Sequence, residues 1–349
     1  MKRHGNLWEQ VCDIENIRAA HRTARKGKAH YTEVRWVNAN EEAALRRIQQ
    51  MLLDKSFSTS PYEVEERFDG RKVRTIHKLP YYPDRIVQHA LVQVCEPIWK
   101  GSFIRDTFQS IVGRGTHDAR KRVETVVRGN PGLYALKFDI QKYYPNVNNH
   151  ILKTQVRRKI KCPDTLWLID DIIDSNQGLP IGNYTSQYFG NVYLSAFDWW
   201  VKQDVKPRGY FRYCDDLVLL ADSAADAHEY REALFENLGA DYALTVKPDW
   251  QVFPVDARGL DFVGFVFKSS GTRIRKSIAK GVRKKARSIR TKDRHMTPYQ
   301  IANGAGSYWG WCKHGGGKGL WHNEMKPDIL KKVAYSKATI KEMQNARKL

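Results

Sequence analysis

The sequence predicts an α+β fold built around an antiparallel sheet of the split-βαβ kind, and three observations carry that expectation. The middle of the chain reads in the order strand, helix, helix, hairpin, helix, strands. The apolar stretches "GLYALKFDI" (132–140) and "LVLLA" (217–221) read as buried strands. The 349 residues are 42% hydrophobic and include 17 Tyr and 10 Trp, which marks a folded protein with a sizeable core and room for two or three structural units.

The elements follow in order. Residues 1–30 are polar and basic and suit a helical or mobile arm. In "NEEAALRRIQQMLLDKSF" (40–57), Ala44, Leu45, Ile48, Met51 and Leu52 fall at helical spacing. "SPYEVEERFDGRKVRTIHKLP" (60–80) alternates like two strands around a turn at Asp69-Gly70. Helices are expected at 84–100, 117–129 and 148–160. The loop "NQGLPIGNYTSQ" (176–187) leads into a helix with Thr185 or Ser186 near its start. A hairpin at 210–221 precedes a helix at 224–240 that ends at Gly239. "LTVKPDWQVFPV" and "GLDFVGFVF" suggest further short strands. From about residue 270 the chain reads as basic helix, interrupted by the glycine-rich stretch at 304–321.

Charge narrows the class of partner. The formal net charge is +21, and residues 270–349 hold 20 Lys/Arg against 4 Asp/Glu. Such an excess favours a polyanion, nucleic acid before a membrane surface, over a merely solubilising surface. The five cysteines are scattered without a C-x-x-C pair, which argues against a zinc site or disulfide framework and suits a reducing cytoplasm. No apolar signal region and no run of spanning length are expected.

In "YFRYCDDLVLLADS" (210–223), Asp215 and Asp216 stand together between two apolar runs. A bare turn explains paired aspartates, because Asp bonds its own backbone. A third acid, Asp139, leaves the strand "LYALKFD". If that strand lies beside the hairpin, three carboxylates meet, and like charges raise one another's pKa unless a cation neutralises them. Hard oxygen ligands select Mg²⁺ or Mn²⁺. Two such ions about 3.5–4 Å apart activate an attacking hydroxyl and stabilise a leaving phosphate oxygen.

"FDIQKYYPNV", then "QGLPIGNYTSQ", then "YCDD" resembles in order and spacing the palm motifs of reverse transcriptases. "LPYYPDRIVQHALVQVCEPIW" is similar to that family's fingers motif, and "GLDFVGFVF" to its primer grip. The resemblance covers roughly residues 60–270. It implies a right-hand polymerase: an N-terminal arm (1–35), fingers and palm (36–270) and a short basic helical thumb (271–349). It implies Asp139, Asp215 and Asp216 as catalytic ligands of two Mg²⁺ ions, assisted by the Ile140 carbonyl. Tyr144 matches the aromatic that excludes a ribose 2′-hydroxyl, with a core aromatic as the alternative. Arg67 and Arg74 match the two basic residues that grip the triphosphate, with exposed hairpin arginines as the alternative. Lys247 matches a general acid for pyrophosphate, with a solvated lysine as the alternative.

Two positions depart from most of the family. Ile181 stands where a glutamine is usual, and Gln187 where a proline is usual. This "IGNYTSQ" variant, and "GSYWGWCKHG" in the tail, resemble the reverse transcriptases of diversity-generating retroelements. Those enzymes copy a template-repeat RNA, misincorporate opposite adenine, and work with a small basic pentameric accessory protein. Isoleucine neither donates nor accepts a hydrogen bond, so Ile181 is expected to lower discrimination, or else simply to pack under the palm helix. Gln187 is expected to cap that helix or face the minor groove. A retron or defence reverse transcriptase, and a catalytically silent RNA-binding scaffold, are the alternatives.

Overall fold

The computed structural model describes residues 2–69, 72–292 and 298–324. Strands Glu63–Asp69 (β1) and Lys72–Lys78 (β2) pair antiparallel as an isolated hairpin, with the expected Asp69-Gly70 turn partly outside the described residues. The central sheet contains Thr107–Phe108 (β3), Tyr134–Asp139 (β4), Gly209–Tyr213 (β5), Asp216–Ala221 (β6) and Gln251–Pro254 (β7). Its order is β3-β5-β6-β4-β7. A smaller antiparallel sheet follows from Leu260–Phe262 (β8), Phe265–Lys268 (β9) and Gly271–Ile274 (β10).

The expected antiparallel sheet is corrected to a mixed one, because β3 runs parallel to β5. Two residues give no periodicity to read, so β3 left no sequence signal. The rest of the sheet is antiparallel as expected.

Both faces of this sheet are largely buried, which explains its mostly apolar strands, with Lys137 and Arg212 as charged exceptions. Leu136, Phe138, Leu217 and Leu219 enter one core, while Ala135, Val218 and Leu220 enter a second on the opposite face. The first core is roofed by Ile86–Lys100, Pro163–Asp174 and Tyr184–Tyr193. The second is closed by Thr116–Val127, the small sheet and the C-terminal helices.

The N-terminal segment takes the helical alternative. Asp13 caps Ile14–Ala24 by accepting the Glu15 N–H at 3.1 Å. Ile17, Ala20 and Ala24 are buried, and the Asn16 amide donates to the Ala90 carbonyl at 3.1 Å. Three further boundaries differ from expectation. Pro163–Asp174 is a helix beyond those the sequence predicts. Ala224–Tyr242 runs past Gly239 and ends where Ala243 takes a φ of 50°. Pro298–His314 continues through most of the glycine-rich stretch, so the expected interruption shrinks to a short break before Lys318–Glu324.

Candidate active site

The site is a consequence of register. β4 and β6 pair so that Asp139 faces Asp216 across the ladder. Directly opposed residues on neighbouring strands bring their β-carbons within about 5 Å. β5 and β6 pair Tyr213 with Asp216, leaving Cys214 and Asp215 as a two-residue turn. Cys214 has a φ of 60°, the conformation such turns ordinarily give to glycine or asparagine. The Ile140 N–H donates to the Asp215 carbonyl at 3.0 Å and ties the turn to the end of β4. The topology thus brings together the three acids that the sequence singled out.

Their electrostatics reflect burial. Asp216 is pushed up to about 7, mainly by burial, with Lys137 opposing the shift and Asp139 and Asp215 adding to it. Asp215 is raised by burial first and by Asp139 next, with Lys247 opposing. The Asp216 Oδ1 is buried without a hydrogen-bond partner. Lys137 Nζ stands 3.5 Å from Asp216 Oδ2, and Lys247 Nζ stands 3.7 Å from Asp139 Oδ2. Both separations are at or beyond the limit of a hydrogen bond. Among the described residues, no three His, Cys, Asp or Glu side chains are gathered closely enough to hold an ion as they stand. The donor set nonetheless suits a hard divalent cation: adjacent carboxylates, one with an orphaned buried oxygen, and two lysines that stand 3.5 and 3.7 Å from their carboxylates, with Lys137 Nζ donating instead to the Asp261 carbonyl at 2.6 Å.

Lys247 is fixed beside Asp139 by its backbone as well, its N–H donating to the Asp139 carbonyl at 2.9 Å. Ile140 is fully buried and bridges to Val246.

Tyr144 is half-buried and bonds to Cys214 in the turn. A β-carbon at Gly190 would lie 3.1 Å from the Tyr144 ring, so the helix Tyr184–Tyr193 leaves space for it. The Leu179 N–H donates to the Tyr144 carbonyl at 2.8 Å. That bond seats the Q-G-L-P loop on the tyrosine's backbone.

The same loop meets β2. The His77 N–H donates to the Ile181 carbonyl at 2.8 Å, and a β-carbon at Gly182 would fall 2.1 Å from the His77 carbonyl oxygen. Ile181 is half-buried at this junction. Gln187 is exposed on the helix Tyr184–Tyr193 and does not cap it. The capping group is instead the Gln88 side chain, which accepts the Tyr184 N–H at 2.9 Å from another helix. No local sequence pattern signals such a remote cap.

Arg67 and Arg74 sit directly opposite each other on β1 and β2, both exposed. Like charges so placed repel. Arg67 also pairs with Glu65 at 3.0 Å.

Beneath the turn lies a network that no sequence motif marks. Arg212 and Asp198 are fully buried and paired at 2.6 Å. Asp198 also accepts from Tyr210 at 2.7 Å and from Thr107 at 2.9 Å. Both faces of β5 are buried from Gly209 to Arg212, so no alternation in the sequence marks Arg212 as a partner of Asp198.

A sheet that delivers paired acids from a hairpin tip and a neighbouring strand end defines a nucleotidyl-transferring polymerase domain. The family profile described as reverse transcriptase (RNA-dependent DNA polymerase) matches residues 69–267. The chain belongs to that family and carries its catalytic domain. Protein YkfC of Escherichia coli (strain K12) is 24% identical over an alignment of 232 residues that covers 53% of this chain and 61% of YkfC. The chain thus spans about three fifths of that curated relative. Apo telomerase from Candida tropicalis superposes with a TM-score of 0.50 at 12% identity, over 80% of this chain and 67% of that one. Candida tropicalis telomerase in complex with a TWJ fragment of telomeric RNA gives 0.51 at 11% identity, over 85% and 58%. These two likenesses concern the fold alone. Among the described residues no helix is long and apolar enough to cross a membrane.

Proposed function

We propose that this chain is the error-prone RNA-dependent DNA polymerase of a diversity-generating retroelement. It copies a template-repeat RNA into cDNA, misincorporates opposite adenine, and so supplies variant sequence to a target gene by mutagenic retrohoming. Residues 36–270 serve as fingers and palm, 271–349 as thumb and 1–35 as the N-terminal arm. The observation that carries the reading is Ile181, an apolar side chain at the junction of the β1–β2 hairpin and the helix Tyr184–Tyr193. A polar group there would read the geometry of the nascent pair; isoleucine removes that contact.

Asp139, Asp215 and Asp216, with the Ile140 carbonyl, would hold two Mg²⁺ or Mn²⁺ ions, which activate the primer hydroxyl and stabilise the departing pyrophosphate when bound. The chain's own residues supply the remainder. Arg67 and Arg74 present two guanidinium groups to the deoxynucleotide triphosphate. Tyr144 excludes the ribose 2′-hydroxyl, Gln187 faces the nucleic acid, and Lys247 delivers a proton to the leaving group. The basic thumb holds the RNA/DNA duplex through salt-dependent phosphate contacts. A small basic pentameric accessory protein joins through RNA, since two basic proteins repel without it. The setting is the cytoplasm of a bacterium or phage-infected host.

The test is primer extension on a defined RNA template with Mg²⁺ and four deoxynucleotides, with every product sequenced. Errors concentrated at template adenines support the full reading. Uniformly faithful products, with and without accessory protein, leave a retron or defence reverse transcriptase. No incorporation under either condition leaves an RNA-binding scaffold.

A further inference from the structure

Arg212 lies two residues before the turn, with its side chain wholly inside the protein. Its Nε and Nη2 grip Asp198 in a two-pronged contact at 2.8 and 2.6 Å. Its remaining nitrogen, Nη1, donates to the Cys214 carbonyl at 3.2 Å and to Asn191 Oδ1 at 3.3 Å. Asn191 belongs to the helix Tyr184–Tyr193, and its amide donates in turn to the Gln109 carbonyl at 3.0 Å. A single guanidinium therefore joins that helix, the helix Ser195–Trp200 that carries Asp198, and the first residue of the acidic turn.

The position needs such an anchor. Cys214 holds a left-handed φ of 60° without being glycine. An L-residue leaves that conformation unless its surroundings over-determine it. The Cys214 carbonyl belongs to the peptide that leads into Asp215, so a donor fixed to that oxygen fixes the orientation of the next residue. Both Asp198 oxygens are engaged, by Tyr210 and Thr107 as well as by Arg212, so the guanidinium has little freedom to swing.

We infer that Arg212 is a positioning residue for the reaction: through the Cys214 carbonyl it sets the aim of the Asp215 carboxylate, and thereby the site's affinity for its divalent cation. This rests on the reading of Asp139, Asp215 and Asp216 as ion ligands. Lysine at 212 keeps the charge but cannot hold Asp198 and reach the turn together.

The experiment uses the full chain and three measurements: Mn²⁺ binding by electron paramagnetic resonance without substrate, steady-state incorporation, and thermal midpoint. Arg212→Lys is expected to weaken Mn²⁺ binding and lower kcat by about tenfold each, the scale of an outer-shell partner, with KM for deoxynucleotide nearly unchanged. Thr107→Val removes one bond from Asp198 but leaves the arm to Cys214. It is expected to lower the thermal midpoint while Mn²⁺ binding and kcat stay at wild-type values. If Arg212→Lys does not fold, the double variant Arg212→Met/Asp198→Leu removes the buried ion pair as a unit, and with it the donor to the Cys214 carbonyl, and is read the same way. A folded variant of either kind with wild-type Mn²⁺ affinity and kcat overturns the inference. Asp215→Asn separates the two levels of argument. Retained Mn²⁺ binding and incorporation there would sink the ligand assignment itself, whereas a silent Asp215→Asn beside a wild-type Arg212→Lys sinks only the role of Arg212.

Discussion

The backbone N–H of His77 donates to the carbonyl of Ile181 at 2.8 Å, joining the β1–β2 hairpin to the loop that opens the helix Tyr184–Tyr193. The contact is main chain to main chain, so it survives substitution of the isoleucine side chain. The side chain is thereby free to vary in chemistry while its position stays fixed.

Fidelity should respond to that chemistry. Ile181→Gln restores an amide at an unchanged backbone position and is expected to reduce errors at template adenines by a factor on the order of 10. Deep sequencing of cDNA from matched templates measures this. An unchanged error spectrum would show that Ile181 only packs.

Gly182 should tolerate no side chain. Its φ is +135°, and an added β-carbon would meet the His77 carbonyl oxygen at 2.1 Å. Gly182→Ala is expected to cost about 1–3 kcal/mol, from strain alone and before any displacement of the hairpin. Gly239→Ala is the control, since nothing lies within 4 Å of the new methyl. It sits inside the helix Ala224–Tyr242 and should stabilise by about 0.5–1 kcal/mol. Urea unfolding of both variants decides; equal effects would show the loop to be loosely docked.

Much of this was legible in the sequence, for identifiable reasons. The strands holding Asp139 and Asp216 announced themselves because burial on both faces demands mostly apolar runs, with Lys137 the one charge in β4 before Asp139. The hairpin of Arg67 and Arg74 was legible from its alternation. The register that sets Asp139 against Asp216 was not, because it depends on a pairing between segments far apart in sequence. Gln88 and Arg212 were hidden for a related reason. Each is a polar residue whose partner lies on another element, and local patterning carries no record of such a partner. β3 was too short to show a period at all.

Asp216 makes stability depend on pH. Its folded pKa is about 7, against about 3.9 for an unfolded aspartate. The folded state then binds more protons between those values, so stability falls as pH rises through that window. The penalty is absent below pH ~4 and complete above about 7. In EDTA, Asp216→Asn should remove this contribution, leaving a flatter profile and a protein at least as stable as wild type at pH 8. The same variant should lose nucleotide incorporation. Parallel stability curves from pH 4 to 8 for the two proteins would contradict a carboxylate whose burial outweighs its pairing with Lys137.

Arg67 and Arg74 should act on binding rather than on chemistry. They face each other across an exposed hairpin, so neither supports the core. Alanine at either position is expected to raise KM for deoxynucleotide by about tenfold, equivalent to one charge-assisted contact, and to leave the thermal midpoint within a degree or two. A fall in kcat with KM unchanged would move the triphosphate contact elsewhere.

Tyr144 offers the sharpest test of sugar selection. Its ring packs against Gly190 and bonds to Cys214 beside Asp215, so its position is set by the helix Tyr184–Tyr193 and the acidic turn together. Tyr144→Val shortens the side chain and opens the space that a 2′-hydroxyl would need. Ribonucleotide incorporation should rise by about 10- to 100-fold relative to deoxynucleotide, the range that removal of a steric contact supports. Tyr144→Phe keeps the ring and loses only the hydroxyl, so it should discriminate as wild type does. If Tyr144→Phe relaxes selection as much as Tyr144→Val, then the bond to Cys214, and not the bulk of the ring, governs sugar choice.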